Sequence, residues 1–151
     1  DVINAGSAIF ILSMGIYADK DKPATVQMLK DGQLSTIGNA TMMAYDAYND
    51  QLYMINAPFG GDKEYKVYNL KNGQTTTFLT NPDIFSPYSL AVNPVNGDVF
   101  ITSSTKNPDT GYADYTADCK LYRYTSAGIL LGTYDCGVNP GTIVCDSYYQ
   151  K

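Results

Sequence analysis

The sequence predicts an all-β chain of about three repeated four-stranded antiparallel units, the blades of an incomplete β-propeller. Three observations predict it. Tyr occurs 14 times and Trp never, and of the 15 acidic residues only Glu64 is not Asp. Tyr suits half-buried strands, and Asp suits turns and disfavours helices. Short apolar runs alternate with turn signals, and no long apolar period of 3.6 residues occurs. Finally, aromatic residues at matching strand positions (Phe10, Tyr53, Phe100) lie 43 and 47 residues apart, the span of one blade.

The turns order the strands. Lys30-Asp31-Gly32-Gln33, Lys71-Asn72-Gly73-Gln74 and Ser126-Ala127-Gly128-Ile129 each place a two-residue X-Gly between strand-like runs. Asp-Gly and Asn-Gly favour type I′ hairpins, whose central residues both need positive φ. Each hairpin follows an apolar strand: 8–13, 51–56 and 98–104. Two of those follow earlier turns at Tyr48–Gln51 and Pro94–Asp98. With strands A to D in each unit, unit two reads A 41–46, B 51–56, C 64–70, D 74–80. Unit three reads A 88–93, B 98–104, C 118–125, D 129–136. Unit one shows only B 8–13, C 24–30 and D 33–38, so it lacks an A strand. Units at about 7–40, 41–87 and 88–136, with a terminal strand at 141–147, make one propeller-type domain or fragment. A β-sandwich or open meander is the alternative, and the repeated order of turn types favours blades.

Small residues on the A strands (Ala44, Ser89, Ala91) fit the point where blades converge. The missing first strand and the surplus last one are complementary, since a strand from one terminus often closes the blade at the other. Three blades are too few to close alone. The expectation is half of a larger propeller completed by a protein partner, or two copies forming a six-bladed ring, and in either case no stable free monomer.

Composition bounds the function. The net charge of −5 and ten dispersed Lys and Arg exclude a nucleic-acid surface, which needs clustered basic side chains. No stretch approaches the length of a membrane span, so no direct membrane insertion is expected. The chain starts at Asp1 with neither initiator Met nor signal-peptide pattern, which reads as a mature or excised form. Without His there is no Ser/His/Asp set, and neither a P-loop nor G-x-G-x-x-G is present. The sequence therefore points to no catalytic residue, no cofactor and no metal. Asp46 and Asp146 qualify as acids by position alone, and Asp109, Asp114 and Asp118 could offer oxygens to calcium without the EF-hand pattern.

Counting outward from Ser126 opposite Ile129 puts Cys119 opposite Cys136 at a non-hydrogen-bonded site, where the Cα separation of about 4.5 Å suits a disulfide. A Cys119–Cys136 disulfide is expected, and with it an oxidising compartment; two buried thiols are the alternative. Cys145 reads as an inert core thiol.

The A–B and C–D turns are tight, and the long B–C and D–A connections open on the opposite face. Functional groups concentrate on long loops held by a scaffold. Tyr17, Asp19, Phe59, Asp62, Phe85, Tyr88, Asp109, Tyr112, Asp114 and Tyr115 are the candidate ligand-binding residues. Rings beside carboxylates suit glycans, because sugar faces stack on aromatics and Asp accepts from hydroxyls; they suit peptides as well. Against this, each ring can pack on its own loop and each Asp can form a turn.

Asn93 to Ser103 (NPVNGDVFITS) and Ala44 to Asn56 (AYDAYNDQLYMIN) resemble YncE-like and surface-layer-type propellers. Gly137 to Cys145 (GVNPGTIVC) and Ser7 to Gly15 (SAIFILSMG) are similar to secreted propeller lipoproteins of unknown function from Bacteroides-type bacteria. These motifs are structural and carry no catalytic residue across. The resemblance implies an extracytoplasmic protein, in the periplasm or on the outer-membrane surface, serving nutrient uptake, of which this chain corresponds to the C-terminal half. The resulting expectation is a non-catalytic module binding glycan or peptide. The alternatives are a structural or assembly subunit and a calcium-dependent propeller hydrolase.

Overall fold

The structure, a computed structural model, describes residues 1–146. The chain is all-β, with three antiparallel sheets resembling four-stranded propeller blades, one of them extended by a short fifth strand, and none closed into a barrel. It divides into two compact units, Asp1–Thr80 and Asn81 onward.

The first unit holds two sheets. One is β1 (Val2–Asn4), β2 (Ile9–Ser13), β3 (Thr25–Lys30) and β4 (Gln33–Asn39), in that order. The other is β5 (Met42–Asp46), β6 (Gln51–Asn56), β7 (Glu64–Asn69) and β8 (Gln74–Leu79), also in sequence order. β1 corrects the expectation that the first sheet lacks its inner strand. Val2, Ile3 and Asn4 pair with Ile11, Phe10 and Ile9, and the turn back is set by Gly6 N–H donating to Asn4 Oδ1 (2.9 Å). Three residues are too short to display an alternation, so the strand carries no periodic signal. With it in place, completion of this sheet by a terminal strand loses its premise. Residues 141–146 form no strand, and 147 lies outside the described residues.

Packing in this unit follows from register. Phe10, Leu12 and Val26 share one face of the first sheet and are buried, with Met43, Leu52, Met54 and Tyr68 of the second sheet in the same core. Phe10 meets Tyr68 edge-on, ring centroids 6.2 Å apart, an arrangement favoured by the ring quadrupole. In the second sheet Tyr53 lies edge-on to Phe78 at 4.7 Å. Burial, helped by the nearby Asp46 carboxylate, pushes the Tyr53 phenol well above its ordinary value, so it stays a neutral donor to Gln51 Oε1 (3.1 Å).

The second unit holds β9 (Ser86–Val92), β10 (Val99–Lys106), β11 (Ala113–Asp114), β12 (Cys119–Tyr124) and β13 (Leu130–Cys136). β10 pairs with β9 and β12, β12 pairs with β13, and the far end of β10 pairs with the two-residue β11. The stretch expected as one loop, 105–118, is thus partly a hairpin. Across the sheet, Arg123 donates from Nε and Nη2 to Asp98 Oδ2 (2.8 and 2.5 Å) and lies over the Phe100 ring.

The hairpins differ from expectation in a consistent way. Among the described residues only Asp31-Gly32 is a two-residue hairpin loop with positive φ at both positions (52° and 73°). The other turns belong mainly to a four-residue class. Asp46, Asn69, Asn93 and Asn107 each begin a turn by accepting backbone N–H bonds on Oδ1. The residue four positions on (Asp50, Gly73, Gly97, Gly111) is left-handed.

The third X-Gly turn bears on the cysteines. Thr125 N–H bonds to Ile129 O, so the loop has three residues, Ser126 to Gly128, rather than two. A bulge between Arg123 and Tyr124 shifts the register back by one. The two offsets cancel, and Cys119 does face Cys136. The expected disulfide is nevertheless absent, and both are free thiols. Cys119 Sγ donates instead to Ala117 O, at 3.8 Å, two residues back along the chain. Burial also pushes the Cys136 thiol up, away from the reactive thiolate. Cys145 is a half-buried free thiol outside any strand, its thiol likewise pushed up by burial.

Asp46 is fully buried and accepts from Tyr48 N, Asn49 N and Asn49 Nδ2. Asp46→Ala leaves those donors without an acceptor and is expected to lower the unfolding free energy by about 2 kcal/mol. In urea the midpoint falls with an unchanged slope, and Asp46→Asn, which keeps an oxygen acceptor, loses less.

Candidate functional site

The β2–β3 connection is long but ordered. Gly15 (φ +64°) starts it, and a Cβ there would lie 2.2 Å from Lys22 O, so no other residue fits. Ile16 N–H donates to Lys22 O (2.9 Å) and Asp19 N–H to Ile16 O (3.1 Å), which closes the base of the loop. Asp19 Oδ1 accepts from Asp21 N–H (2.9 Å). Ala18 sits at φ 61°, unusual for a residue with a Cβ. The loop therefore holds Tyr17 at a defined tip.

The β6–β7 connection presents Phe59. Its base is fixed by Thr41, whose Oγ1 donates to Ile55 O (3.1 Å) and accepts from Ala57 N–H (3.1 Å). Gly61 N–H closes a turn on Pro58 O (3.1 Å). Tyr17 and Phe59 meet with centroids 5.5 Å apart at a tilt of 39°. Both remain mostly in water, 79% and 67% exposed. Met14 and Ile16, which are not among the candidate residues expected from the sequence, are also exposed on the first loop. Asp19 is half-buried and Asp62 exposed on the same two connections. The first unit thus joins the expected aromatics of two loops into one exposed pair.

In the second unit the candidates divide. Tyr112 (71% exposed) and Tyr115 (59%) stand out from the β10–β11 arm. Phe85 is half-buried ahead of β9, and Tyr88 lies within β9 itself, with Gly141 close to its ring edge. Asp109 belongs to the Asn107 turn, its N–H donating to Asn107 Oδ1 (2.9 Å). Asp114 is committed to its own turn. Its Oδ1 accepts from Thr116 N–H (2.8 Å), Thr116 Oγ1 (2.7 Å) and Ala117 N–H (3.2 Å), and Asn107 Nδ2 donates to Oδ2 (3.3 Å). These bonds, that from the Thr116 amide foremost, hold the Asp114 carboxyl below its ordinary value. Asp118 contributes its carbonyl to Thr105 Oγ1 (3.3 Å). Among the described residues no group of three or more His, Cys, Asp or Glu is placed to hold a metal ion, so Asp109, Asp114 and Asp118 do not converge on one.

No protein-family model matches the sequence, and no curated protein does. Solved structures do. The chain is similar to the acylaminoacyl peptidase of Pyrococcus horikoshii (TM-score 0.69, 10% identity), covering 91% of this chain and 24% of that one. It is similar to the β-propeller domain of the Trilobed protease from Pyrococcus furiosus (TM-score 0.65, 14% identity; 90% of this chain, 41% of that one). It is also similar to a gluconolactonase from Xanthomonas campestris (TM-score 0.59, 20% identity; 94% of this chain, 47% of that one). At these identities the likeness is one of fold, that of a β-propeller, and the chain spans less than half the length of these proteins.

Gly15→Ala is expected to cost at least about 2 kcal/mol, from the forced left-handed φ and the contact with Lys22 O. It should also remove nuclear Overhauser contacts between the Tyr17 and Phe59 rings. For Asp114, whose folded pKa is depressed, the turn's stabilisation is complete above the unfolded value and is lost as pH falls through the folded one. In a pH titration by NMR, the Thr116 and Ala117 amide signals should move at a lower pH than an ordinary Asp carboxyl titrates.

Proposed function

We propose that the chain is a non-catalytic binding segment of a β-propeller and that the Tyr17–Phe59 pair is its ligand platform. One observation carries the reading: rings from two separately anchored loops touch at 5.5 Å while most of their surface stays in water. Loops built only to cover themselves would bury such rings. A platform held ready loses little side-chain freedom on binding. Asp19 and Asp62 on the same loops supply acceptors for hydroxyl groups, which favours a glycan over a peptide.

A hydrolytic role has less support in the residues. The chain has no His, and Glu64 is held on β7 beside Lys66 (3.0 Å). Kinship with YncE-like propellers, an extracytoplasmic setting and service in nutrient uptake belong to the same proposal and rest on the sequence resemblance.

The test is isothermal titration of soluble oligosaccharides against the chain and its Tyr17→Ala and Phe59→Ala variants. Each variant should weaken binding at least tenfold, about 1.4 kcal/mol, with an unchanged circular-dichroism spectrum. A ligand whose affinity ignores both substitutions, or a peptide bound in place of any sugar, overturns the glycan platform.

A further inference from the structure

Three consecutive hydroxyl side chains lie buried in the second half of β10, and two of them are satisfied. Thr102 Oγ1 donates to Pro140 O (3.0 Å). Ser103 Oγ donates to Ser104 O (2.9 Å) and accepts from Ser86 N–H (2.9 Å). Ser104 is the exception. The residue is 1% exposed, and among the described residues its Oγ has no hydrogen-bond partner. A buried hydroxyl gives up its water at a cost that only a new partner offsets, so an unpartnered one requires a water or an ion beside it.

Register shows what stands next to it. On β12 the pairing runs as far as Ser103 opposite Lys120. The bond from Thr105 Oγ1 to Asp118 O (3.3 Å) carries the same register past Ser104, which puts Cys119 opposite it. Cys119 in turn faces Cys136 on β13. Residues that face each other across a sheet project from the same side, so Ser104, Cys119 and Cys136 form one row. Both cysteines are free thiols, Cys119 buried and Cys136 half-buried. Burial first, and then the nearness of Cys119, push the Cys136 thiol up, as expected of adjacent sulfurs.

We propose that this row binds a soft, low-coordinate metal ion of the Cu(I) class, held by the Cys119 and Cys136 sulfurs with Ser104 Oγ as a third, weaker donor. The spacing suits it. Facing residues hold their Cβ atoms about 4.5–5.5 Å apart, and two sulfurs at about 2.3 Å from one ion stand about 4.6 Å apart, so the strands need not move. Thiolates select soft ions. A structural zinc ion takes four ligands, and among the described residues no group of three His, Cys, Asp or Glu is placed to hold one. Each thiol releases its proton as the ion binds, and Cys119 gives up only a long contact with Ala117 O (3.8 Å). The half-buried Cys136 gives the ion its way in. The inference is independent of the Tyr17–Phe59 platform, which belongs to the other unit.

The experiment titrates the reduced 151-residue chain with Cu(I), supplied without oxygen as its acetonitrile complex, against the chromophoric chelator bicinchoninate. The chain should withhold one Cu(I) from the chelator, and X-ray absorption should show two sulfur neighbours on the copper. Cys136→Ser should weaken binding by about a hundredfold or more and Ser104→Ala by about tenfold, whereas Cys145→Ser should leave it unchanged. If Cys136→Ser loses its native circular dichroism, the sulfur count on the wild-type chain decides: two support the site, and one or none overturns it. A wild-type chain that yields all its copper to the chelator overturns the proposal, and Ser104 Oγ is then met by a buried water. Binding that survives Cys136→Ser, or that is lost in Cys145→Ser, puts the ion elsewhere and overturns it. An affinity that Ser104→Ala leaves unchanged removes the hydroxyl and overturns the three-donor site.

Discussion

A side-chain oxygen at the first residue of a four-residue turn is the constraint from which much of the architecture follows. Asp46, Asn69, Asn93 and Asn107 each accept amide protons from residues two or three positions further on. Each is followed four positions later by a left-handed residue. In three cases that residue is Gly, whose N–H closes the turn on the carbonyl of the first residue; in the other it is Asp50, a type that tolerates the conformation. The length of the turn fixes which residues face each other. A slip of one residue would send every apolar side chain to the wrong side of its sheet.

The consequence reaches the core and the loops alike. With Asp46 opposite Gln51, Leu52 and Met54 turn toward the first sheet, and Tyr53 and Ile55 turn away. The same register delivers Asn56 to the end of β6, where the connection carrying Phe59 leaves the sheet. Thr41, just ahead of β5, then ties the base of that connection down. On the neighbouring sheet β2 ends at Ser13, and the confined φ of Gly15 turns the chain into the loop that presents Tyr17. Short turns at one end of the strands thus determine how the long connections are offered at the other.

Most of this order was legible in the sequence, and the places where it was not have physical reasons. The strands of the second sheet fall within a residue of expectation, because β5 to β8 combine strong apolar runs with clear turn residues. β1 escaped notice because three residues have no period. The Asn72-Gly73 pair was read as a type I′ turn, yet Asn69 competes successfully for the amides of Lys71 and Asn72 and lengthens the loop. The pairing of Cys119 with Cys136 was reached by a count that omitted both a third loop residue and a bulge. Register alone could not supply the direction of the Cys119 sulfur, which depends on a local contact with Ala117 O. The candidate carboxylates show the same limit. An Asp two residues before a Thr reads equally as a ligand acceptor and as a turn, and at Asp114 the turn takes it. The meeting of Tyr17 with Phe59 was legible only as far as both lie on long connections; their contact depends on how two loops lean.

Aromatic side chains serve two ends here, and exposure separates them. Phe10, Tyr53 and Tyr68 are buried and meet neighbouring rings edge-on, so their area contributes to folding. Tyr17 and Phe59 meet at a shallower tilt and keep most of their surface in water. The energy of that contact is small beside the apolar area it leaves hydrated. The loop beneath Tyr17 also holds Ala18 in a conformation that disfavours a Cβ. A connection selected for stability alone would relieve both features, by a Gly at 18 and a polar residue at 17. Both features sit on a loop pinned by Gly15 and by the Ile16–Lys22 bond, and the binding role proposed for the ring pair would account for them.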